Sequence, residues 1–286
     1  MAPETAGLTL GLLQMDLTGP VEDNLAKADG LLQEARERGA TLAVLPELFP
    51  HPWFPVTEDA SHFGCAESED GPLMARFSAL AVRHGLTLVV PTYERAGLAR
   101  YNTTFILAPT GAILGRYRKN HIPYHPGWYE KFYYAPGDLG FPVFHQHGLT
   151  FGIQTCWDNL FPEGSRILGL QGVHLILAPR ATGDYSRPRW RTALAANALA
   201  NNCFVATVNR TGLEGGSYRF GGDSLVIDPN GTILAAAEKP DEVVIAAVDP
   251  AAVYQSRAEW PFREDRRPGL YRDLVFGAAG TGQRRT

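Results

Sequence analysis

The chain has 286 residues, 45% of them hydrophobic and 20% charged, with 26 Lys and Arg against 30 Asp and Glu for a formal net charge of −4. This is the composition of a globular chain with a large core, and its scattered cations exclude the basic patch that nucleic acid or an anionic membrane surface would require. No run approaches the roughly 20 apolar residues that span a bilayer, which leaves a small molecule as the expected partner.

Hydrophobic periodicity predicts alternating strands and helices. Residues 8–15 and 41–45 read as short buried strands. Between them Leu25, Ala28, Leu31, Leu32 and Ala35 recur at helical spacing, and Gly39 is placed to stop the helix. A second helix is expected over 73–84, then a strand over 86–90. Strands over 103–108 and 112–117 are joined by Pro109-Thr110-Gly111, a hairpin turn. The later half repeats the style, with strands at 149–154 and 173–177 around a helix at 163–170, and a helix over 187–201 before a strand at 204–208. A last hairpin joins 224–227 to 233–236 through Asp-Pro-Asn-Gly, and 243–248 closes the set. The pattern predicts mixed sheets covered by helices but does not decide between one sheet and two. No linker divides the chain, so a single domain over 1–277 is expected, followed by a Gly-, Thr- and Arg-rich tail, 278–286, expected to be disordered.

Four polar residues stand at the ends or edges of apolar runs: Glu47 after Ala-Val-Leu-Pro, Lys119 in Tyr-Arg-Lys-Asn-His, Glu130 opening Glu-Lys-Phe-Tyr-Tyr, and Cys156 before Trp157-Asp158. A thiol, a carboxylate to deprotonate it and an ammonium to hold a developing oxyanion are what amide cleavage through a thioester requires. Cys156 falls between a strand and a helix, a tight turn that exposes sulfur to substrate and aims backbone N–H groups at a bound oxygen. Other fates are open to each residue: Cys156 as a small buried hydrophobe, Glu47 as a cap, Lys119 as part of a solvated basic edge, Glu130 as a surface partner of Lys131. Cys65 and Cys203 read as bystanders. His121 and His125 are four apart, but Pro123 and Pro126 prevent a helical metal-binding face, so neither a metal nor an organic cofactor is expected. Gly221-Gly222-Asp223 lacks the context of a phosphate loop and reads as a close-packed turn.

The segments around these residues, above all Gly-Ile-Gln-Thr-Cys-Trp-Asp-Asn-Leu-Phe-Pro-Glu (152–163) and Glu-Lys-Phe-Tyr-Tyr-Ala-Pro-Gly-Asp (130–138), resemble the nitrilase, or carbon–nitrogen hydrolase, superfamily over nearly the whole chain. The resemblance implies an α-β-β-α sandwich of two mixed sheets between helical layers. It implies that Cys156 is the nucleophile, that Glu47 is the general base, and that Lys119 stabilises the oxyanion together with the backbone N–H of Trp157. It also implies a second glutamate, Glu130, that orients lysine and substrate. Cys-Trp-Asp followed by Phe-Pro-Glu is closer to N-carbamoyl-amine and aliphatic amide hydrolases than to nitrilases, which tend to carry Cys-Trp-Glu. Nitrile hydrolysis with the same residues is the alternative within enzymes, and a catalytically silent binding homologue the alternative outside them. Branches acting on N-carbamoyl amino acids carry paired arginines where this chain has Asn159-Leu160.

Arg180, in Ala-Pro-Arg-Ala-Thr-Gly, replaces the small hydroxyl residue more usual in the family. It is expected either to grip a substrate carboxylate or to pair with Asp184. Trp128 and the loop aromatics of His51-Pro-Trp-Phe are candidate pocket walls. The N-terminus has no basic and apolar signal regions, and three cysteines without framework spacing fit the reducing cytoplasm. The segment 254–271 combines Trp260, Phe262 and Tyr271 with a dense charged group. Such a segment is expected to serve a homodimer or higher homo-oligomer, or else to fold back as a strap on its own subunit.

Overall fold

The computed structural model describes residues 7–216 and 218–276, so the tail 278–286 lies outside the described residues. Among the described residues, thirteen strands follow the chain as β1 Leu8–Asp16, β2 Leu42–Val44, β3 Thr87–Ala96, β4 Ala99–Leu107, β5 Ile113–Arg118, β6 Val143–Gln146 and β7 Leu149–Ile153. They continue as β8 Leu175–Arg180, β9 Phe204–Glu214, β10 Tyr218–Gly221, β11 Leu225–Ile227, β12 Ile233–Ala236 and β13 Glu242–Val248. The helices are α1 Val21–Glu37, α2 Pro72–His84, α3 Glu130–Tyr133, α4 Pro162–Leu170, α5 Arg187–Asn201, α6 Pro250–Glu259 and α7 Arg272–Phe276.

Strand pairing gives two six-stranded halves, with β10 paired antiparallel to the end of β9. One runs β5-β4-β3-β2-β1-β13, the other β6-β7-β8-β9-β11-β12. In each, a parallel centre is flanked by antiparallel strands: β1, β2 and β3 in the first, β7, β8 and β9 in the second. The halves join where the ends of β1 and β9 pair in parallel, Met15 with Arg210 and Asp16 with Thr211, so the sheet is nearly closed on itself.

Alternation along the strands builds the layers, because successive side chains point to opposite faces. In β1, Leu8, Leu10 and Leu12 enter a core between the sheets, while Leu13 and Met15 enter a core beneath α1 and α2. In β8, Leu175 and Leu177 face the inter-sheet core, while Ile176 and Ala178 face α4 and α5. Both faces of both sheets are therefore apolar, which is why the central strands read as continuous hydrophobic runs. The result is the expected α-β-β-α sandwich. Gly85 ends α2 in the left-handed region at φ 62°, where a Cβ would be strained.

The elements depart from expectation where local signals conflict with tertiary pairing. β3 runs on to Ala96 and turns at Gly97-Leu98 into β4, a hairpin whose polar residues mask its alternation. β9 extends through Asn209 and Arg210 to Glu214 because those polar side chains find buried partners. Hydrophobic periodicity predicts none of β6, β10, α3, α6 and α7.

The inter-sheet core is the structural heart of the fold, and Leu177 at its centre is fully buried. Leu177→Ala is expected to lower unfolding free energy by about 2–5 kcal/mol, measured by urea denaturation. A loss below about 1 kcal/mol would mean that the two sheets collapse freely around the gap.

Candidate active site

The polar residues gather where strands of both halves end. Glu47 follows β2, Lys119 follows β5, Glu130 opens α3, and Cys156 starts a single 3-10 turn, Cys156–Leu160, after β7. Lys119, Glu47 and Glu130 are closed off from solvent. Lys119 Nζ donates to Glu47 Oε1 and Glu130 Oε2, both at 2.7 Å. Asn102 Nδ2 donates to the same Glu47 Oε1 at 2.8 Å. Glu47 Oε2 and Glu130 Oε1 remain without a hydrogen-bond partner among the described residues. Neither glutamate is therefore a surface group, and Lys119 is not part of a solvated edge.

Burial and charge act against each other here. Desolvation disfavours the Lys119 ammonium, but the carboxylates of Glu130 and Glu47 outweigh it and raise its pKa above the usual lysine value. Desolvation raises Glu130 to about 8; Lys119 opposes this, and the charge of Glu47 adds to it. The Cys156 thiol is pushed well above its ordinary value by burial and then by Glu47, with Lys119 opposing. The resting sulfur is thus a neutral thiol close enough to feel all three charges.

The backbone at Cys156 is held at φ 47°, the left-handed region that non-glycine residues seldom adopt. Asp158 fixes this turn. Its Oδ2 accepts from Thr155 N at 3.1 Å and Tyr117 Oη at 2.7 Å, and its Oδ1 accepts from His121 N at 2.9 Å and lies 2.7 Å from His121 Nδ1. Asn159 Nδ2 donates to Gln154 O at 2.8 Å and Cys156 O at 3.0 Å. The Asn159 side chain is therefore spent inside the turn. Trp157 occupies the second position of the turn, where an N–H has no carbonyl within the turn to bond.

Cys156, Trp157 and Trp128 line one cavity of about 120 Å³, together with His125, Thr182 and Arg189 among others. Trp128 Nε1 donates to Ala181 O at 3.2 Å, and Cys156 Sγ lies 4.0 Å from the same oxygen. Trp53 is buried behind Trp128 at 6.3 Å between rings and does not reach the cavity. Arg180 is also buried and does not line it. Its Nε donates to Thr207 Oγ1 at 2.9 Å and one terminal nitrogen bonds Thr182 Oγ1. The other terminal nitrogen donates to Gly222 O and Asp223 O at 3.3 and 2.8 Å. The pairing with Asp184 does not form: Asp184 pairs with Arg187, and Arg180 approaches Asp223. Burial lowers the Arg180 guanidinium to about 10, with Asp223 opposing. Gly221 and Gly222 pack as a close turn, since a Cβ on Gly222 would fall 2.6 Å from Gln14 Oε1.

Three contributors were not singled out from the sequence. Asn102 sits in Tyr-Asn-Thr-Thr-Phe, where a buried amide within an apolar strand was the available signal. Asp158 was seen only as a motif letter. Arg210 donates to Glu47 O at 3.3 Å and His51 O at 2.8 Å while paired with Glu214 through Nε at 2.7 Å, clamping the loop that carries Glu47.

A family model described as carbon–nitrogen hydrolase matches residues 9–258. The chain belongs to the carbon–nitrogen hydrolase family. It is a hydrolase of non-peptide C–N bonds. N-carbamoylputrescine amidase of Solanum tuberosum is 35% identical over 96% of this chain and 97% of its own. The crystal structure of a carbon–nitrogen hydrolase from Helicobacter pylori G27 superposes with a TM-score of 0.90 at 32% identity, covering 94% of this chain and 98% of that one. A mutant of the amidase from Nesterenkonia sp. AN1 showing covalent addition of the acetamide moiety of fluoroacetamide at the active site cysteine superposes at 0.80 and 26% identity. It covers 96% of this chain and 99% of its own.

The raised pKa of Glu130 has a definite sign in stability. Between the ordinary value of 4.5 and about 8 the folded state holds a proton that the unfolded state has released, so stability falls as pH rises through that window. Glu130→Gln removes the titration. The melting temperature of the variant relative to the parent is expected to climb from pH 5 to pH 8; a pH-independent difference would show that Glu130 is ionised in the fold.

Proposed function

We propose that this hydrolase cleaves a small amide or N-carbamoyl compound through a thioester on Cys156. The observation that carries the reading is the unpartnered Oε2 of Glu47, a buried acceptor whose other oxygen is already held by Lys119 and Asn102. Cys156 Sγ attacks the carbonyl carbon while its proton passes to Glu47. Lys119 has three N–H donors, of which two are taken by the glutamates, and the third serves the oxyanion together with Trp157 N–H. On collapse the C–N bond breaks and Glu47 protonates the leaving nitrogen, which departs as ammonia or amine. Water then attacks the thioester, giving its proton to Glu47. The C–S bond breaks with return of that proton to sulfur. If the acyl group is a carbamoyl, its hydrolysis yields carbon dioxide and ammonia.

Glu130 bonds Lys119 alongside Glu47 and leaves Oε1 free to meet the substrate. Trp128 and Trp157 wall the bound group, and Arg180 supports the wall through Thr182. No step calls on a metal or an organic cofactor. Residues 1–277 form one hydrolase domain in this reading. No helix among the described residues is long and apolar enough to cross a membrane, and three free thiols among them suit the cytoplasm.

Assembly as a homodimer or higher homo-oligomer is part of the same reading. Phe262 and Tyr271 border a groove with Arg166 and Asn197 of the same subunit, as a strap would, yet Trp260 and Tyr254 stay more than half exposed. Light scattering at micromolar concentration should give at least twice the 31.2 kDa chain mass, and a Trp260→Ala variant should shift toward monomer. A monomeric parent would leave the strap as the sole role of the segment.

The decisive experiment is mass spectrometry after mixing with reactive amides. An acyl adduct should map to Cys156 and vanish in Cys156→Ala, while Glu47→Gln should slow turnover by about 10²–10⁴. Adducts confined to Cys65 or Cys203, or a Glu47→Gln enzyme within a few-fold of the parent, would refute the mechanism.

A further inference from the structure

The cavity over Cys156 is walled largely by rings, those of Trp128, Trp157, Tyr185 and Trp190, and no Asp or Glu lines it. Its permanent charge is Arg189, an exposed residue in the first turn of α5. The two neighbouring arginines of that turn are neutralised, Arg187 by Asp184 and Arg191 by Asp223. Arg189 forms no ion pair or hydrogen bond with the described residues. Its position near the start of a 15-residue helix adds the positive end of the helix dipole to the guanidinium. Arg180 lies behind the same wall with its donors directed at Thr182, Thr207 and the Gly222–Asp223 carbonyls. A ligand projecting from Cys156 toward the rim therefore meets aromatic faces and one uncommitted fork of N–H donors, with no carboxylate to receive a cation.

From this arrangement we infer that the substrate carries a carboxylate at the end remote from the scissile bond, and that Arg189 binds it. The leaving amine, or the acyl tail, is thus anionic. A guanidinium accepts a carboxylate in bidentate fashion, which fixes the remote end and places the carbonyl carbon at the sulfur. The relatives named N-carbamoylputrescine amidase imply the opposite charge, because putrescine ends in an ammonium. An ammonium in this cavity would meet the Arg189 guanidinium with no Asp or Glu on the lining to offset it. The inference rests on the thioester reading of Cys156 for the direction in which the substrate lies.

Three N-carbamoyl probes of one length separate the possibilities: N-carbamoyl-4-aminobutyrate, N-carbamoylputrescine and N-butylurea, ending in carboxylate, ammonium and methyl. Binding to the Cys156→Ala protein, measured by calorimetry, is expected to favour the carboxylate over the methyl probe by about tenfold or more, with the ammonium weakest. Arg189→Gln in that background should lower the carboxylate-to-methyl affinity ratio by about 10–100-fold, and Arg189→Glu should place the ammonium first. Because Arg189 is exposed, these changes leave the core untouched, and circular dichroism checks that they do. An ammonium probe bound as tightly as the carboxylate, an Arg189→Gln change that weakens all three alike, or no binding of the carboxylate probe would each overturn the assignment. The chemistry is read separately, in the wild-type enzyme. A carboxylate preference without any adduct on Cys156 would remove the thioester mechanism and leave Arg189 in place.

Discussion

A single ammonium bonded to two carboxyl groups in a space closed to water sets the terms for this molecule. Lys119 is bonded to both Glu47 and Glu130 at 2.7 Å, and all three side chains are inaccessible to solvent. Such a group is expensive to desolvate, and removing one partner from a buried pair typically costs about 3–5 kcal/mol. The surrounding fold supplies what solvent would have: Asn102 on Glu47, Arg210 on the carbonyl of the same residue, and the proton that burial keeps on Glu130. Glu47 Oε2 and Glu130 Oε1 are left unpaired, and a buried polar atom without a partner is open to an arriving group.

Cys156 is positioned by a different device. A left-handed backbone at a cysteine costs on the order of 1–3 kcal/mol and persists only where the surroundings over-determine it. Asp158 does so with bonds to Thr155, Tyr117 and His121, and Asn159 adds the carbonyl of Cys156 itself. Tyr117 belongs to β5 of the first half and Asp158 to the turn after β7 of the second, so the strain at sulfur is supported across the sandwich.

The sandwich and the four polar residues at its centre were legible because both rest on patterns that survive in one dimension. Apolar runs bounded by Gly39, Gly85 or Asp-Pro-Asn-Gly predicted most of the strands and helices within a few residues. The segments around Glu47, Lys119, Glu130 and Cys156 carried the family likeness. What escaped depends on partners remote in the chain. β9 runs past Val208 because Asn209, Arg210 and Glu214 are satisfied by Thr182, His51 and Trp53, none of them predictable as neighbours. Arg180 and Arg189 illustrate the same limit. Both are arginines near one strand end, and only the placement of Thr207, Thr182 and Asp223 separates an internally occupied guanidinium from a free one.

The parallel seam of Met15 with Arg210 and Asp16 with Thr211 joins the halves beside the Glu47 loop, whose carbonyl accepts from Arg210. Glu47 and Lys119 follow β2 and β5 of the first half and Cys156 follows β7 of the second, so no half holds a complete set of these groups. A slip of one residue between the sheets is about 3.3 Å, more than the gap across which a thiol can hand a proton to a carboxylate. A thioester mechanism on Cys156 with Glu47 as base would therefore read out the registry of the whole sandwich. A chain with every catalytic residue present but its sheets offset by a single position would be folded, and chemically silent.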